Sequence, residues 1–280
     1  MQLHFGSSSV VILSTPNMAE IILKENDVLF ASRPKTAAGK YTTYNYCDMT
    51  WSSYGTYWKQ LRKICLMEIF SGKRLDSFQY IRVEEMKKLM KSLYNSSGKP
   101  IVLKDYVVKL SFNVIGRIVL GKSYLDGEVD DQVIKPEEFK FMFEELFVLN
   151  GVYNIGDFIA WLGVFDLQGY VKRMKDVSKK LDKFLEIVIN EHNEVRKKSG
   201  KNYVAKDMVD VLLQLAENQD VQVKLHRDGI KAFTQDLLAG GTESAATTLE
   251  WGLSEMCSYG IQLPFRLEGR RRELGDKGSI

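Results

Sequence analysis

The sequence predicts a mainly α-helical protein with a small β-hairpin near its start and one long central helix. Three observations support this fold class. Apolar residues recur at helical spacing along most of the chain, two short runs of strand-forming residues stand near the N-terminus, and one helical pattern covers residues 227–256. At about 1.5 Å per residue, that last pattern forms a helix on the order of 40 Å long, enough to cross a whole domain.

The predicted hairpin comes first along the chain. Gln2–Phe5 and residues 10–13 are rich in strand-forming residues, and a glycine and three serines separate them. Thr15 and Pro16 then begin a helix, with the threonine as its cap and the proline at its first position. This helix is predicted to run to about Asn26.

A long irregular segment precedes a helix with a candidate binding pair. Residues 30–54 show no steady hydrophobic period, so they are predicted to form a loop with one short helix. Trp58 and Arg62 follow, four residues apart and therefore on one helix face. An indole N–H and a guanidinium on one face suit a carboxylate or phosphate ligand. The alternative, which is commoner for such a pair alone, is a core tryptophan beside a solvated arginine.

Further helices are predicted from apolar periodicity together with flanking proline, serine and glycine residues. Their predicted bounds are 75–94, Leu103–Leu120, 136–150, 169–198 and 207–215.

An aromatic cluster lies between two of these helices, within residues 151–167. It consists of Tyr153, Phe158, Trp161 and Phe165. Such a cluster either forms an exposed patch that meets a membrane surface or a substrate, or packs inside the protein. The packed arrangement is the commoner one and is the expectation.

The centre of the long helix carries the sequence AGGTES at positions 239–244. Two adjacent glycines inside a helix cost roughly 1 kcal/mol each relative to alanine. A helix opened locally at Gly240 and Gly241, with Glu243 and Ser244 beside the gap, suits a small polar molecule. Close packing of two helices is the alternative explanation of the glycines and, for this segment alone, the commoner one.

Composition excludes several classes of function. Lys and Arg number 39 against 36 Asp and Glu, so nucleic acid is not an expected partner. No apolar run reaches the ~18 residues of a membrane span, and no signal segment follows the first residue. The cysteines and histidines are too dispersed for metal-ligand spacing, and the cysteines indicate a reducing compartment. These residues are Cys47, Cys65, Cys257, His4, His192 and His226.

Four segments in this order resemble a plant microsomal cytochrome P450 of the large clan that includes the flavonoid hydroxylases. They are FASRP at 30–34, WKQLRK at 58–63, NIGDF at 154–158 and AGGTES at 239–244. The resemblance runs from about Leu3 to Met256 and implies that residues 1–256 form the N-terminal portion of the cytochrome P450 fold. It implies a haem-thiolate monooxygenase, which inserts one oxygen atom from O₂ into a small apolar plant metabolite.

The resemblance also implies roles for particular residues. Trp58 and Arg62 match the positions that hydrogen-bond a haem propionate, and Ala239 and Gly240 match those that pass closest to the haem face. Residues 36–49 and 148–155 match regions that shape substrate choice.

Two further matches carry the catalytic expectation. Glu243 and Ser244 match the acid–alcohol pair that delivers protons during oxygen activation. Serine stands where many members have threonine; it keeps the hydroxyl but loses the methyl group that restricts the rotamer.

One family feature is missing. The family holds the haem iron through a cysteine thiolate in a Phe-, Gly- and Arg-containing loop, and Cys47, Cys65 and Cys257 lack such surroundings. Glu268 and Arg271 fit a family spacing by chance. No metal ligand is therefore assigned, residues 257–280 are interpreted as an aberrant tail, and the chain is expected to be inactive alone. The alternative is a non-enzymatic remnant, a helical fragment without haem.

For intact relatives, the resemblance implies electrons from NADPH through NADPH–cytochrome P450 reductase and a place in the endoplasmic reticulum membrane. The sequence starts without the family's anchor helix, so a cytoplasmic or unassigned location is expected. One apolar flank of the central helix is expected to face water.

Overall fold

The β-hairpin is observed in the computed structural model, which describes residues 1–126, 134–200, 203–217 and 224–258. Strands β1 (Gln2–Phe5) and β2 (Ser8–Val11) pair antiparallel, with Leu3 opposite Val10. The hairpin prediction is confirmed, but β2 begins two residues earlier than predicted. The reason is a tight turn at Gly6, whose φ of 59° reverses the chain within two residues.

Helices make up most of the remaining described residues, so the predicted fold class is confirmed. Pi-helical turns at Ile21–Glu25 and Cys65–Ile69 extend α1 and α4, and 3-10 turns at Ile155–Asp157 and Ala160–Phe165 lie between α8 and α9. The helices are α1 Pro16–Glu20, α2 Asp27–Phe30, α3 Ala37–Thr42, α4 Thr56–Ile64, α5 Gly72–Ser77, α6 Gln79–Asn95, α7 Leu103–Leu120, α8 Pro136–Gly151, α9 Tyr170–Ser199, α10 Met208–Glu217 and α11 Arg227–Ser258.

Several boundaries follow the predicted signals closely. The Thr15 side chain accepts a hydrogen bond from the Met18 amide at the start of α1. Helix α7 ends at Leu120 as predicted, because Gly121 adopts φ 72°. A side chain at Gly121 would also meet Asp207 Oδ2 at 2.6 Å, so glycine is required there twice over.

The single helix predicted at 75–94 is wrong. Phe78, with φ −98° and ψ 9°, leaves the helical conformation and separates α5 from α6. Its ring is buried with 3% exposure, so tertiary packing decides the break. Helix α2 was also not predicted.

The core lies between the long helices α7 to α11. Phe139 of α8 contacts an aromatic ring from α7, another from α9 and one from its own helix at centroid distances of 5.1–5.9 Å. Tyr124, just after α7, stacks on it at 5.3 Å. These rings fix α8 and α9 against α7, and α11 packs along α7 on another side.

The aromatic cluster of residues 151–167 divides into two parts. Tyr153 and Phe158 stack at 4.5 Å and contact Phe5 of the hairpin. Trp161, Phe165 and Tyr153 are 69%, 66% and 58% exposed, so the expectation that the cluster packs inside is wrong for these three, while Phe158 is half-buried. The two 3-10 turns approach each other through glycine backbones, which leaves the Trp161 and Phe165 side chains directed outward.

No helix in the described ranges is both long enough and apolar enough to cross a membrane.

Candidate functional site

The Trp58–Arg62 pair lies on one face of α4, as its spacing predicts. The Arg62 guanidinium carbon is 5.6 Å from the centre of the Trp58 ring. Trp58 is half-buried and Arg62 is exposed, so Trp58 is not the core residue of the alternative interpretation. Among the described residues, neither the indole N–H nor the guanidinium has a hydrogen-bond partner.

This pair borders a shallow groove of about 280 Å³. Its surface is almost entirely apolar, with Leu66 and Met67 57% and 63% exposed, and the stems of Lys59, Arg62 and Lys63 border it. Such a surface suits a flat apolar molecule with an acidic edge. The groove is lined by Trp58, Lys59, Arg62, Lys63, Leu66 and Met67.

Helix α11 runs unbroken through its glycine pair, so the predicted local opening is wrong. The two glycines have different surroundings. A β-carbon at Gly241 would meet Ile115 Cδ1 of α7 at 2.4 Å, whereas one at Gly240 would meet nothing within 4 Å. Close helix packing therefore accounts for Gly241, and Gly240 lies on an open face.

The two glycines should respond oppositely to alanine. Gly240→Ala is expected to stabilise the chain by up to about 1 kcal/mol, because alanine is the better helix former and nothing obstructs it. Gly241→Ala is expected to be less stable than Gly240→Ala by about 1–3 kcal/mol, the range typical of overpacking. Urea unfolding followed by circular dichroism measures both variants, and equal stabilities would contradict this account.

The predicted catalytic pair, Glu243 and Ser244, lies on the exposed face of α11. Ser244 Oγ donates to the carbonyl of Gly240 at 2.8 Å, and Thr242 Oγ1 donates to the carbonyl of Ala239 at 3.1 Å. These hydroxyls bond to their own helix rather than opening it. Glu243 has no hydrogen-bond partner in the described part of the chain.

The predicted site residues therefore form two sets, one on α4 and one on α11. The loop before α4 connects them. Asp236 of α11 accepts hydrogen bonds from the Met49 amide at 2.7 Å, the Thr50 amide at 3.3 Å and the Thr50 hydroxyl at 2.9 Å. Sequence reasoning missed this contact; the available signal was a single carboxylate in the apolar stretch of α11 one turn before Ala239.

The described cysteines are poor thiolates. Burial and nearby carboxylates raise the pKa of Cys47. Burial, followed by the charge of Asp236, raises the pKa of Cys65 to about 11. Both thiols are therefore protonated at neutral pH in this structure. The predictions about Cys257, Glu268 and Arg271 concern side chains that lie outside the described residues. The same holds for the aberrant tail from residue 259 onward.

The structure also brings together three groups that the sequence keeps apart: His192, Asp207 and Asp210. The His192 ring bonds to the Val188 carbonyl at 2.7 Å through Nδ1 and to Asp207 Oδ2 at 2.8 Å through Nε2. A carbonyl and a carboxylate both require a donor, so the ring is an imidazolium in a buried ion pair.

Solved structures share this arrangement of helices. Two structures of a zebrafish cytochrome P450, one with progesterone and one with abiraterone, superpose with TM-scores of 0.69 and 0.64 at 22% and 21% identity. The matches cover 93% and 91% of this chain and 57% and 54% of the zebrafish chains. The chain thus has part of the cytochrome P450 fold.

Sequence comparison gives the family directly. The sequence model of the cytochrome P450 family matches residues 1–260, and the chain belongs to this family. It is 36% identical to trimethyltridecatetraene synthase of Zea mays over 98% of this chain and 51% of the relative. It is 37% identical to cytochrome P450 71A1 of Persea americana over 99% of this chain and 55% of the relative. The chain spans about half the length of the curated relatives it matches.

Proposed function

We propose that this chain is the N-terminal, haem-facing portion of a cytochrome P450 monooxygenase that inserts one oxygen atom from O₂ into a small apolar plant metabolite. The observation that carries this proposal is the groove on α4, where the Arg62 guanidinium lies over the Trp58 ring and neither it nor the indole N–H has a hydrogen-bond partner among the described residues. An acidic edge of a flat apolar molecule fits that arrangement.

The residues present fit haem on the side that they cover. Arg62 and Trp58 would hold a propionate, and Ala239 and Gly240 would leave room beside the haem face, because nothing lies within 4 Å of a β-carbon built at Gly240. Haem, when bound, supplies the redox chemistry that activates O₂.

Glu243 and Ser244 would handle protons. The Glu243 carboxylate is exposed and faces water. The Ser244 hydroxyl donates to Gly240 in this structure, and a rotation about one bond releases that hydrogen for a ligand while the oxygen remains an acceptor.

The proposed substrate is small and apolar. The enzyme's selectivity among such substrates is proposed to depend on residues 36–49 and 148–155. Relatives from Zea mays are named for trimethyltridecatetraene and dimethylnonatriene, both unsaturated hydrocarbons. Electrons would come from NADPH through NADPH–cytochrome P450 reductase at the endoplasmic reticulum membrane, as for intact relatives.

Residues 1–256 form the cytochrome P450 portion in this proposal, and residues 257–280 are a tail outside it. Since the sequence around Cys47, Cys65 and Cys257 lacks the family's Phe-, Gly- and Arg-containing loop, the chain alone is proposed to lack the axial sulfur.

A second candidate, a helical fragment without haem, is favoured by one observation. The C-terminal half of α11 exposes Leu249, Trp251 and Met256 at 38%, 63% and 39%. An apolar helix flank in water associates with other apolar surfaces.

Haem content separates the two candidates. The purified 280-residue chain is expected to carry no stoichiometric haem and to show no thiolate-type absorbance band when reduced under carbon monoxide. Metal analysis and the reduced carbon-monoxide spectrum measure this. A pigmented, fully iron-loaded preparation would show that the axial sulfur has been wrongly excluded.

The α4 groove is tested separately by adding hemin to the chain. Arg62→Ala is expected to weaken hemin binding roughly tenfold, the loss of one charge-assisted hydrogen bond. Lys59→Ala removes a neighbouring cation that lies over the Tyr54 ring and is the matched control. Equal weakening by both substitutions would mean that the groove attracts anions only through its net charge.

A further inference from the structure

A buried aspartate, Asp48, and a half-buried one, Asp236, face each other where the loop before α4 meets α11. Asp48 is fully buried, and Asp236 lies within hydrogen-bonding reach of it. In the described part of the chain, neither forms an ion pair with a lysine, arginine or histidine. Two ionised carboxylates this close in a buried site would repel each other strongly.

The hydrogen bonds of the two carboxyl groups differ. Asp236 accepts from the Met49 amide, the Thr50 amide and the Thr50 hydroxyl, which is the environment of an ionised carboxylate. Asp48 Oδ1 accepts from the Trp51 amide at 3.1 Å, but its buried Oδ2 has no hydrogen-bond partner among the described residues. The nearby Thr43 hydroxyl donates to the Gly39 carbonyl at 2.7 Å. An oxygen without a donor becomes satisfied when it carries a proton and donates it.

We propose that Asp48 and Asp236 share a single proton at neutral pH, and that this acid–carboxylate pair fastens residues 43–51 to α11. Asp48 carries the proton on Oδ2 and donates it to Asp236, which in turn holds the Met49 and Thr50 amides. The pair positions the loop between the α4 set and the α11 set. It is independent of haem.

The surroundings are consistent with this arrangement. Burial and the charge of Asp236 raise the pKa of Asp48 to about 8, and burial raises the pKa of Asp236 to about 6. The other titratable groups facing the pair are Tyr57 of α4, Cys47 and Cys65. The pKa of each is raised, with burial as the main cause, so all three are neutral between pH 6 and 8; the Arg62 charge acts on Cys65 but forms no ion pair with either aspartate among the described residues.

The raised pKa values of Asp48 and Asp236 determine how the stability of the closed loop changes with pH. Opened to water, both aspartates have ordinary pKa values near 4 and lose their protons. Between pH 6 and 8 the closed pair therefore holds one proton more than the open loop, and the closed state weakens as pH rises. Above about pH 8 both states are deprotonated and the dependence levels off.

Hydrogen exchange at the Met49 and Thr50 amides tests the proposal on the full chain without haem. After correction for the intrinsic rise of exchange with pH, protection of these amides is expected to fall about tenfold per pH unit from pH 6 to 8. In Asp48→Asn, the amide N–H replaces the shared proton, so protection is expected to stay constant over that range. Asp228→Asn makes the same charge change at an exposed position of α11 and should keep the fall of the unmodified chain.

Two results would overturn the proposal: constant protection in the unmodified chain, or an unchanged slope in Asp48→Asn. A second measurement needs no variant. Carboxyl carbon resonances of the ¹³C-aspartate-labelled chain should show one aspartate in its acid form at pH 7. If every aspartate carboxyl resonance has the chemical shift of the ionised form at pH 7, the proposal of a shared proton is wrong.

Discussion

Arg117→Met is expected to lower the free energy of unfolding by roughly 3 kcal/mol, because it leaves a buried carboxylate short of its main cation. The Glu85 side chain on α6 is 1% exposed, and Arg117 of α7 reaches it at 2.7 Å. Lys88 remains at 3.0 Å and Asn113 at 3.2 Å, which keeps the loss at the lower end of the range for broken buried pairs. Urea unfolding of the two chains measures the difference.

The same arginine provides its own control. Its other nitrogen pairs with Glu84 at 2.6 Å, but the Glu84 side chain is 52% exposed. Glu84→Gln is therefore expected to cost less than about 1 kcal/mol. A cost equal to that of Arg117→Met would mean that burial does not decide the strength of this network.

A double variant separates the pair from the packing around it. Combining Arg117→Met with Glu85→Leu removes both charges and fills the space with apolar atoms, which is often close to neutral for buried ion pairs. The double variant is expected to recover most of the loss. A larger loss than in Arg117→Met alone would indicate that Glu85 is held by its other hydrogen bonds.

Local signals predicted much of the fold. Helix α7 was predicted to its last residue because Gly121 marks the end of an apolar period, and Thr15 marked the start of α1. The break at Phe78 could not be predicted, since phenylalanine continues the apolar pattern and only its burial in the core shows why the helix ends there. The end of a helix can be predicted where a single local residue determines it. The prediction fails where a contact with a distant residue determines it.

The same distinction applies to the candidate site. The shared face of Trp58 and Arg62 follows from a spacing of four residues. The difference between Gly240 and Gly241 does not, because it depends on where Ile115 of α7 lies. The contact between Asp236 and Met49 joins residues 187 positions apart; a lone carboxylate in an apolar helix stretch signals that it has a partner, but not which residue that partner is. These contacts require the fold before they can be seen.

His192→Gln is expected to lower the free energy of unfolding by roughly 3 kcal/mol at pH 6, since it removes the charge that faces a buried carboxylate. The side chains of His192 and Asp207 are 10% and 6% exposed. Burial lowers the pKa of His192, but the hydrogen bond and the charge of Asp207 outweigh it and raise the pKa above its ordinary value. Glutamine keeps one N–H donor but carries no charge at any pH.

The pH dependence of this loss identifies its cause. A group whose folded-state pKa is raised stabilises fully below its ordinary pKa, near 6.5 for histidine, and loses that contribution as pH rises through the folded value. The difference between the unmodified chain and His192→Gln should therefore shrink from pH 6 to pH 9, as measured by urea unfolding at each pH. The Asp48–Asp236 pair titrates equally in both chains and cancels from this difference. His226→Gln, which changes an exposed histidine, is the control and should show no such trend. If the difference for His192→Gln stays constant with pH, the His192 ring acts through packing and not through its charge.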